Sequence, residues 1–390
     1  MTLTKHVLIL GAGFGGLASA NLLRKGLPPE HQITVIDKSP YFMMGIINLW
    51  ILSGTRTLDD SRVALKKLEN KGVRFLNDEI ISVDLSRNMV NTRSDQKIKY
   101  DYLILALGVE LVPEKINGFK DSGGFDLYDA EQIPNLREKI LSLKSGRIAI
   151  CIADIPYKCP PAPYEASLLI NDILVKNGTR DSVDLDICSP TLIALPVAGP
   201  KISQDIVNLL NRHKINFHPL HKLKRVVNEK EVEFVSGERM DYDVLIGIPP
   251  HKIPLMVTNS PGLLKEGENW ISVDKFTLRT SYENVFAIGD VTEIKVNQYV
   301  AIPKAGIFAE AEAKVVSQQI IDEINHNKSQ NPRFDGKGYC FMEIGGKKAG
   351  YIDADFYNET GPITKLQSPS EESYHRKVDF ERSRINEWLL

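Results

Sequence analysis

The sequence predicts an α/β fold: two Rossmann-like units of parallel sheet covered by helices, followed by a separate C-terminal region. Three observations carry that expectation. Near the start, the apolar run Val7-Leu8-Ile9-Leu10 enters Gly11-x-Gly13-x-x-Gly16, and a helical pattern, Leu17 to Arg24, leaves it. A second strand, Ile33 to Ile36, follows and ends in Asp37. Further on, Gly146 to Ala153, a helix from Tyr164 to about Val175, Val183 to Cys188, Ile202 to His213 and Tyr242 to Ile248 repeat the strand-and-helix alternation. At 390 residues the chain is long enough for two or three domains.

Composition narrows the class. The chain is 43% hydrophobic and 25% charged, which is ordinary for a globular protein with a sizeable core. A net charge of −2 gives no general surface for nucleic acid. No apolar run is long enough to span a bilayer, and no signal peptide precedes the first strand, so a location in the cytoplasm or on the cytoplasmic face of a membrane is expected. Four cysteines do not make a disulfide framework in such a chain, so a special cysteine is expected to be redox-active. No metal site is assigned.

The opening glycine turn has the order that a dinucleotide pyrophosphate needs. Gly11 allows the tight turn, Gly13 lets the backbone approach the ligand, and Gly16 lets helix and strand pack closely. Phe14 and Gly15 complete the helix N-terminus that faces the phosphates. Asp37 stands where an acid accepts from a ribose hydroxyl, with Lys38 beside it. The following stretch, Tyr41 to Trp50, is rich in Met and aromatic residues; it reads as core that could also wall an apolar pocket. Ser61 to Asn70 reads as a helix and Val73 to Leu76 as a strand. Ile80 to Leu85 and Asn88 to Thr92 read as a β-pair.

Two later runs resemble the second and third fingerprints of the two-dinucleotide-domain flavoprotein disulfide reductases. One is Tyr100 to Gly108, where Ala106, Leu107 and Gly108 end a strand. The other is Thr280 to Asp290, with Gly289 permitting close approach and Asp290 placed to accept from a ribityl hydroxyl. The helix after it, Ala305 to Asn325, can aim its N-terminus at the ring system. With these resemblances, the ligand of the first loop is expected to be FAD. The implied domains are 1–113 with 256–328 for FAD, 114–255 as an inserted second unit, and 329–390 as the C-terminal region.

The inserted unit departs from a nicotinamide site. Where a second glycine turn would stand, the chain has Asp154-Ile155-Pro156-Tyr157-Lys158-Cys159-Pro160-Pro161-Ala162-Pro163-Tyr164-Glu165. Four prolines fix φ and remove amide donors, so no NAD site is expected there.

The Cys159 stretch, with Ile302-Pro303-Lys304-Ala305-Gly306 and Gly338-Tyr339-Cys340-Phe341, resembles the sulfide:quinone oxidoreductases and the flavin subunit of flavocytochrome c sulfide dehydrogenase. The resemblance implies a redox pair, Cys159 and Cys340, beside the flavin, with sulfide as donor and a quinone as acceptor. It implies a charge-stabilising role for Lys304 at the reduced flavin and a quinone contact for Phe341. Glu165, six residues after Cys159, is the candidate base, and helix N-terminal charge complementarity is the alternative account of it. Cys151 and Cys188 read as buried structural thiols.

Two departures from the family matter. Asp121 to Arg137 holds Tyr128 but no third cysteine. Tyr41 to Met44 offers no cysteine for covalent attachment, so FAD is expected to be non-covalent. The final segment, Glu371 to Leu390, reads as a helix with an apolar stripe of Tyr374, Val378, Ile385, Trp388 and Leu389. Arg376, Lys377, Arg382 and Arg384 could meet anionic headgroups, and docking on the protein's own body or on a second copy is the alternative. The competing functions are a cytochrome-linked sulfide dehydrogenase, a type 2 NADH:quinone oxidoreductase and a flavoprotein redox sensor without turnover.

Overall fold

The computed structural model describes residues 4–326 and 331–390. The expected domain boundary at 328/329 and the first three residues of the chain lie outside them. The first sheet begins with β1 (His6–Leu10), β2 (Gln32–Asp37), β3 (Arg74–Asn77) and β4 (Tyr102–Leu105). Between β1 and β2 runs α1 (Phe14–Gly26), and α2 (Ile47–Ser53) follows β2. Val7 to Leu10 of β1 are fully buried, as expected for a parallel strand covered on both faces.

The chain then builds a second sheet from β5 (Gly146–Ile152), β6 (Val183–Cys188), β7 (Ile215–His218) and β8 (Val244–Ile248). The short strand Phe125–Asp126 extends it, in the order Phe125–Asp126, β8, β5, β6, β7, all parallel. Between β5 and β6 lies α3 (Ala162–Lys176), whose residues from Ala162 to Asn171 are all buried. The chain returns to the first sheet with β9 (Val285–Ala287), completing the parallel order β9-β4-β1-β2-β3. Next comes α4 (Gly306–Ile324), packed against α1.

A third, antiparallel sheet follows: β10 (Lys337–Gly345), β11 (Lys348–Asp355) and β12 (Ile363–Ser370). The chain then forms α5 (Glu371–Leu389), N-capped by the Ser370 side chain, which accepts from the Ser373 N–H. Among the described residues no helix is long and apolar enough to cross a membrane.

Several local expectations are corrected. The stretch expected as a helix over 61–70 holds the short strand Val63–Ala64 and a 3-10 helix, Leu65–Lys71, ending at Gly72 with φ of 76°. The β-pair around residue 85 is a three-stranded meander, Ile80–Asp84, Met89–Thr92 and Lys97–Lys99.

Candidate functional site

A cavity of about 440 Å³ lies at the carboxyl ends of the first sheet, between its turns, α3, β10 and α5. A pocket of this size is typical for cofactors and substrates. Its floor is the first glycine turn. Gly11 has φ of +99°, and a Cβ there would lie 2.4 Å from the Ala106 carbonyl oxygen. A Cβ on Gly16 would lie 1.9 Å from the Gly11 carbonyl oxygen, so glycine is the only residue that lets α1 pack on β1 here. A Cβ on Gly13 would meet nothing within 4 Å, because this backbone faces the cavity. No side chain caps α1 and no acid lies in its first turn. Its leading N–H groups are therefore available to an anion from the cavity side.

Asp37 ends β2 at the cavity. Its carboxylate accepts from the Ala12 N–H at 2.7 Å and the Ser39 N–H at 2.8 Å, which fixes its orientation. Lys38 does not share this position. It is exposed and does not line the cavity, because β2 has ended and the next residue turns outward. Ala106, Leu107 and Gly108 line the wall beyond β4, and Gly289 and Asp290 line it beyond β9. A second uncapped helix N-terminus, that of α4 at Gly306, meets the same space, again without an acid in its first turn. Two helix dipoles and a set of backbone donors thus converge on one elongated cavity. Its glycines keep open the space that Cβ atoms would fill, and this donor set fits a phosphate-bearing dinucleotide.

The apolar stretch after β2 does wall the cavity. Tyr41, Phe42, Met43, Ile46 and Leu49 line it. Trp50, at 1% exposure, donates its indole N–H to Glu343 at 2.8 Å.

The loop before α3 holds Cys159 in the left-handed region, with φ of 50°. Hydrogen bonds over-determine that conformation. The Tyr128 hydroxyl donates to the Lys158 carbonyl at 2.6 Å, and the Lys158 N–H donates to His251 Nε2 at 3.2 Å. The Cys159 N–H donates to the Lys304 carbonyl at 2.7 Å, and the Cys159 carbonyl accepts from Ala162 at 2.8 Å. His251 is neutral: burial pushes its pKa down to about 4, while Nδ1 faces the Pro249 carbonyl at 2.9 Å.

Cys159 and Cys340 both line the cavity, and both are free thiols. Cys340 sits on β10 and its Sγ donates to the Phe341 carbonyl at 3.5 Å. The influence of Cys159, then burial, raises the Cys340 pKa well above the usual thiol range. Cys151 and Cys188 are elsewhere: they are buried register partners on β5 and β6.

Behind the thiols lies a charge network that the sequence did not reveal. Lys377 of α5 is 1% exposed and donates to Glu165 of α3 and, at 3.0 Å, to Glu343 of β10. Burial pulls the Lys377 ammonium down, but the two carboxylates outweigh it and hold it above its ordinary value. Burial likewise pushes Glu165 up, opposed by Lys377. Glu165 and Lys377 both reach the cavity wall. Lys377 is therefore no headgroup contact. Arg384 is also engaged, donating to Glu310 at 3.1 Å, and Arg376 stacks 4.2 Å from the Tyr351 ring centroid. The inward face of α5 includes Lys377, Phe380 and Trp388, so it is set by this ion pair and two aromatics rather than by the expected apolar stripe alone. A lysine in so charged a helix reads as solvated, since no local signal marks carboxylates 212 and 34 residues away.

Phe341 lies in an aromatic group with Tyr339, Tyr351 and Phe380, with ring centroids 5.5 to 6.1 Å apart. Phe380 also stacks at 6.0 Å on Phe14 of the first glycine turn. Lys304 Nζ donates to the carbonyls of Asp290 at 2.6 Å and Thr292 at 3.0 Å and lies 3.5 Å over the Trp270 ring. Burial lowers its pKa to about 8.

Compared with known proteins, residues 5–151 and 180–313 match the pyridine nucleotide-disulphide oxidoreductase family. The chain belongs to that family. It is a flavin-dependent oxidoreductase with sulfide:quinone oxidoreductase homologues. It is 28% identical to the sulfide-quinone reductase of Aquifex aeolicus over 367 residues, covering 90% of this chain and 84% of that one. It is 29% identical to the mitochondrial sulfide:quinone oxidoreductase of Dictyostelium discoideum over 309 residues, covering 76% and 67%. The crystal structure of the sulfide:quinone oxidoreductase from Aquifex aeolicus superposes with a TM-score of 0.85 at 25% identity, covering 99% of this chain and 92% of that one.

Proposed function

We propose that the protein oxidises hydrosulfide through a Cys159–Cys340 pair and delivers the electrons, by way of non-covalent FAD, to a quinone. The observation that carries this reading is that Cys159 and Cys340 both line the cavity whose floor is the glycine turn. The similarity to sulfide:quinone oxidoreductases supports it.

In this reading, the N–H groups of Gly13, Phe14, Gly15 and Gly16 hold the pyrophosphate, with Gly11 shaping the turn. Asp37 accepts from the ribose and Asp290 from the ribityl chain. Ala106, Leu107, Gly108 and Gly289 give close approach to the ring. Bound FAD supplies a two-electron relay between the thiols and the acceptor.

The thiol chemistry balances as follows. Hydrosulfide attacks one sulfur of a Cys159–Cys340 disulfide, so a bond forms between that cysteine and the substrate sulfur. The cysteine–cysteine bond breaks, and its electron pair leaves on the other cysteine as a thiolate. The substrate sulfur is oxidised by two electrons, which then reside on that thiolate. When a new bond closes between the thiolate and the outer sulfur of the persulfide, with loss of its proton, the two electrons leave for the quinone, which takes up two protons, and the substrate sulfur is held between the two cysteines. Glu165 is the proton acceptor of this region, since burial raises its pKa and it shares a proton donor with Glu343 through Lys377. Lys377 also lowers the cost of a thiolate at Cys340, whose pKa it pulls down against its other neighbours. Phe341 and Phe380 offer ring faces for a flat apolar acceptor. Lys304, with two donors on carbonyls, keeps one N–H for the edge of the cofactor.

The test is anaerobic. Sulfide should bleach the flavin band of the purified protein, and a short-chain quinone should restore it. Cys159→Ser should slow bleaching by roughly a thousandfold or more, the scale of losing a nucleophile. Bleaching that survives this substitution would sink the mechanism.

A further inference from the structure

Beneath the turn after β9 lies a buried group that the sulfur chemistry does not use. Glu312 of α4 is 2% exposed, and its Oε2 accepts from the Gly289 N–H at 2.6 Å. Beside it a small pocket of about 10 Å³ is lined by Asp290, Thr292, Lys304 and Glu312, among others. That volume accepts about one water-sized molecule, and polar groups surround it. Its lining shares Gly289, Asp290, Lys304 and Ala305 with the main cavity, so only these residues stand between Glu312 and the cofactor space.

Charge counting decides what Glu312 does. Lys304 is the ammonium facing both Asp290 and Glu312, and it faces Glu293 as well. Tyr357, after β11, feels Glu312, and Asp290 also faces Lys158 and Tyr128. Lys304 is the one cation that faces Glu312, and it is shared with Asp290 and Glu293, whereas Asp290 has Lys158 as well, so it is costly to keep Glu312 as a buried carboxylate and a proton there is favoured. Asp290 opens onto the larger cavity, whereas Glu312 is enclosed.

We propose that Glu312 is the proton-holding group of the flavin site, gaining one proton from solvent when the bound cofactor is reduced. Two electrons enter the ring from the reductant together with one proton. A second proton forms an O–H bond on the Glu312 carboxylate and offsets the negative charge left on the ring. Burial places the Glu312 pKa at about 8 before that charge arrives, and the charge raises it further. Below about pH 8 the carboxyl is protonated in both states, so the gain belongs to more alkaline solution. This inference rests on flavin binding and not on the electron donor or acceptor.

The experiment is a reduced-minus-oxidised infrared difference spectrum of the flavin-loaded protein, reduced by dithionite. At pH 9 a protonated-carboxyl C=O band should appear on reduction and shift in D₂O. At pH 6 no such gain should appear. Glu312→Gln keeps the acceptor for the Gly289 N–H but cannot take the proton, so its spectrum should lack the band at pH 9. No band in the unmodified protein at pH 9, an equal gain at pH 6, or a band that persists in the Gln variant would each overturn the proposal. The two pH values in the unmodified protein decide the matter even if the variant loses flavin.

Discussion

The two βα turns of this molecule stand in the same place and do different work. Each follows an inner strand of a parallel sheet and opens a buried helix. After β1 the turn is Gly11 to Gly16, with a helix N-terminus free of side-chain caps. After β5 the turn is Ala153 to Pro161, with prolines where the glycines would be, and its donors are already committed: Lys158 to His251 and Cys159 to Lys304. The first turn offers unpaired N–H groups to an anion; the second uses its N–H groups on the protein and presents a sulfur. A single scaffold thus serves phosphate recognition or thiol presentation, according to where the backbone donors point.

The comparison can be broken most severely by offering the second turn a nicotinamide. NADH should reduce the flavin at least about a hundredfold more slowly than sulfide, the scale of losing two charge-assisted phosphate hydrogen bonds. Rapid bleaching by NADH in stopped flow would show that the second turn still serves a dinucleotide. The first turn is tested by Gly11→Ala. The new Cβ would sit at positive φ and 2.4 Å from a backbone oxygen, so a loss of at least about 2 kcal/mol is expected, with less bound flavin. Absorbance ratio and thermal melting would read both.

The second turn has a pH signature of its own. His251 has a folded pKa near 4 against an ordinary 6.5, so between those values the unfolded chain binds more protons. Stability should therefore fall as pH drops from about 6.5 to about 4 and level off below, by up to about 3 kcal/mol for this group. Denaturant titrations of the protein and of His251→Gln should diverge in that window, the variant giving the flatter profile. The smallest effect is expected from Tyr128→Phe, which removes one hydrogen bond to the Lys158 carbonyl. About 1 kcal/mol should be lost, and Cys159 should alkylate a few times faster as its loop loosens.

The contrast also explains what the sequence made legible. Glycine and proline act on the backbone where they stand, so both turns, Cys159 and the parallel sheets could be read from local pattern. Gly289 and Asp290 were readable for the same reason, since their strand and turn are contiguous. Lys377 was not, because its meaning depends on Glu165 and Glu343, far away in sequence and brought together only when α5 docks. Phe380 and His251 were missed likewise: an aromatic among charges and a histidine after Pro250 carry no local mark of the rings and amides they meet. Lys38, expected beside the cofactor, is exposed and off the cavity wall, because the strand ends at Asp37 and the next residue turns outward.

The first sheet has one more consequence. Its strand β4 pairs with β9 through Leu103 and Val285, while the entire second sheet is formed by the chain between them. Completing that pairing closes a loop of about 180 residues, and closure is entropically slow unless the intervening chain has already condensed. Assembly should therefore run from the inside outward: the thiol-bearing unit compacts first and draws its two flanks together. The nucleotide floor would then be sealed late, making cofactor capture a report that folding is finished.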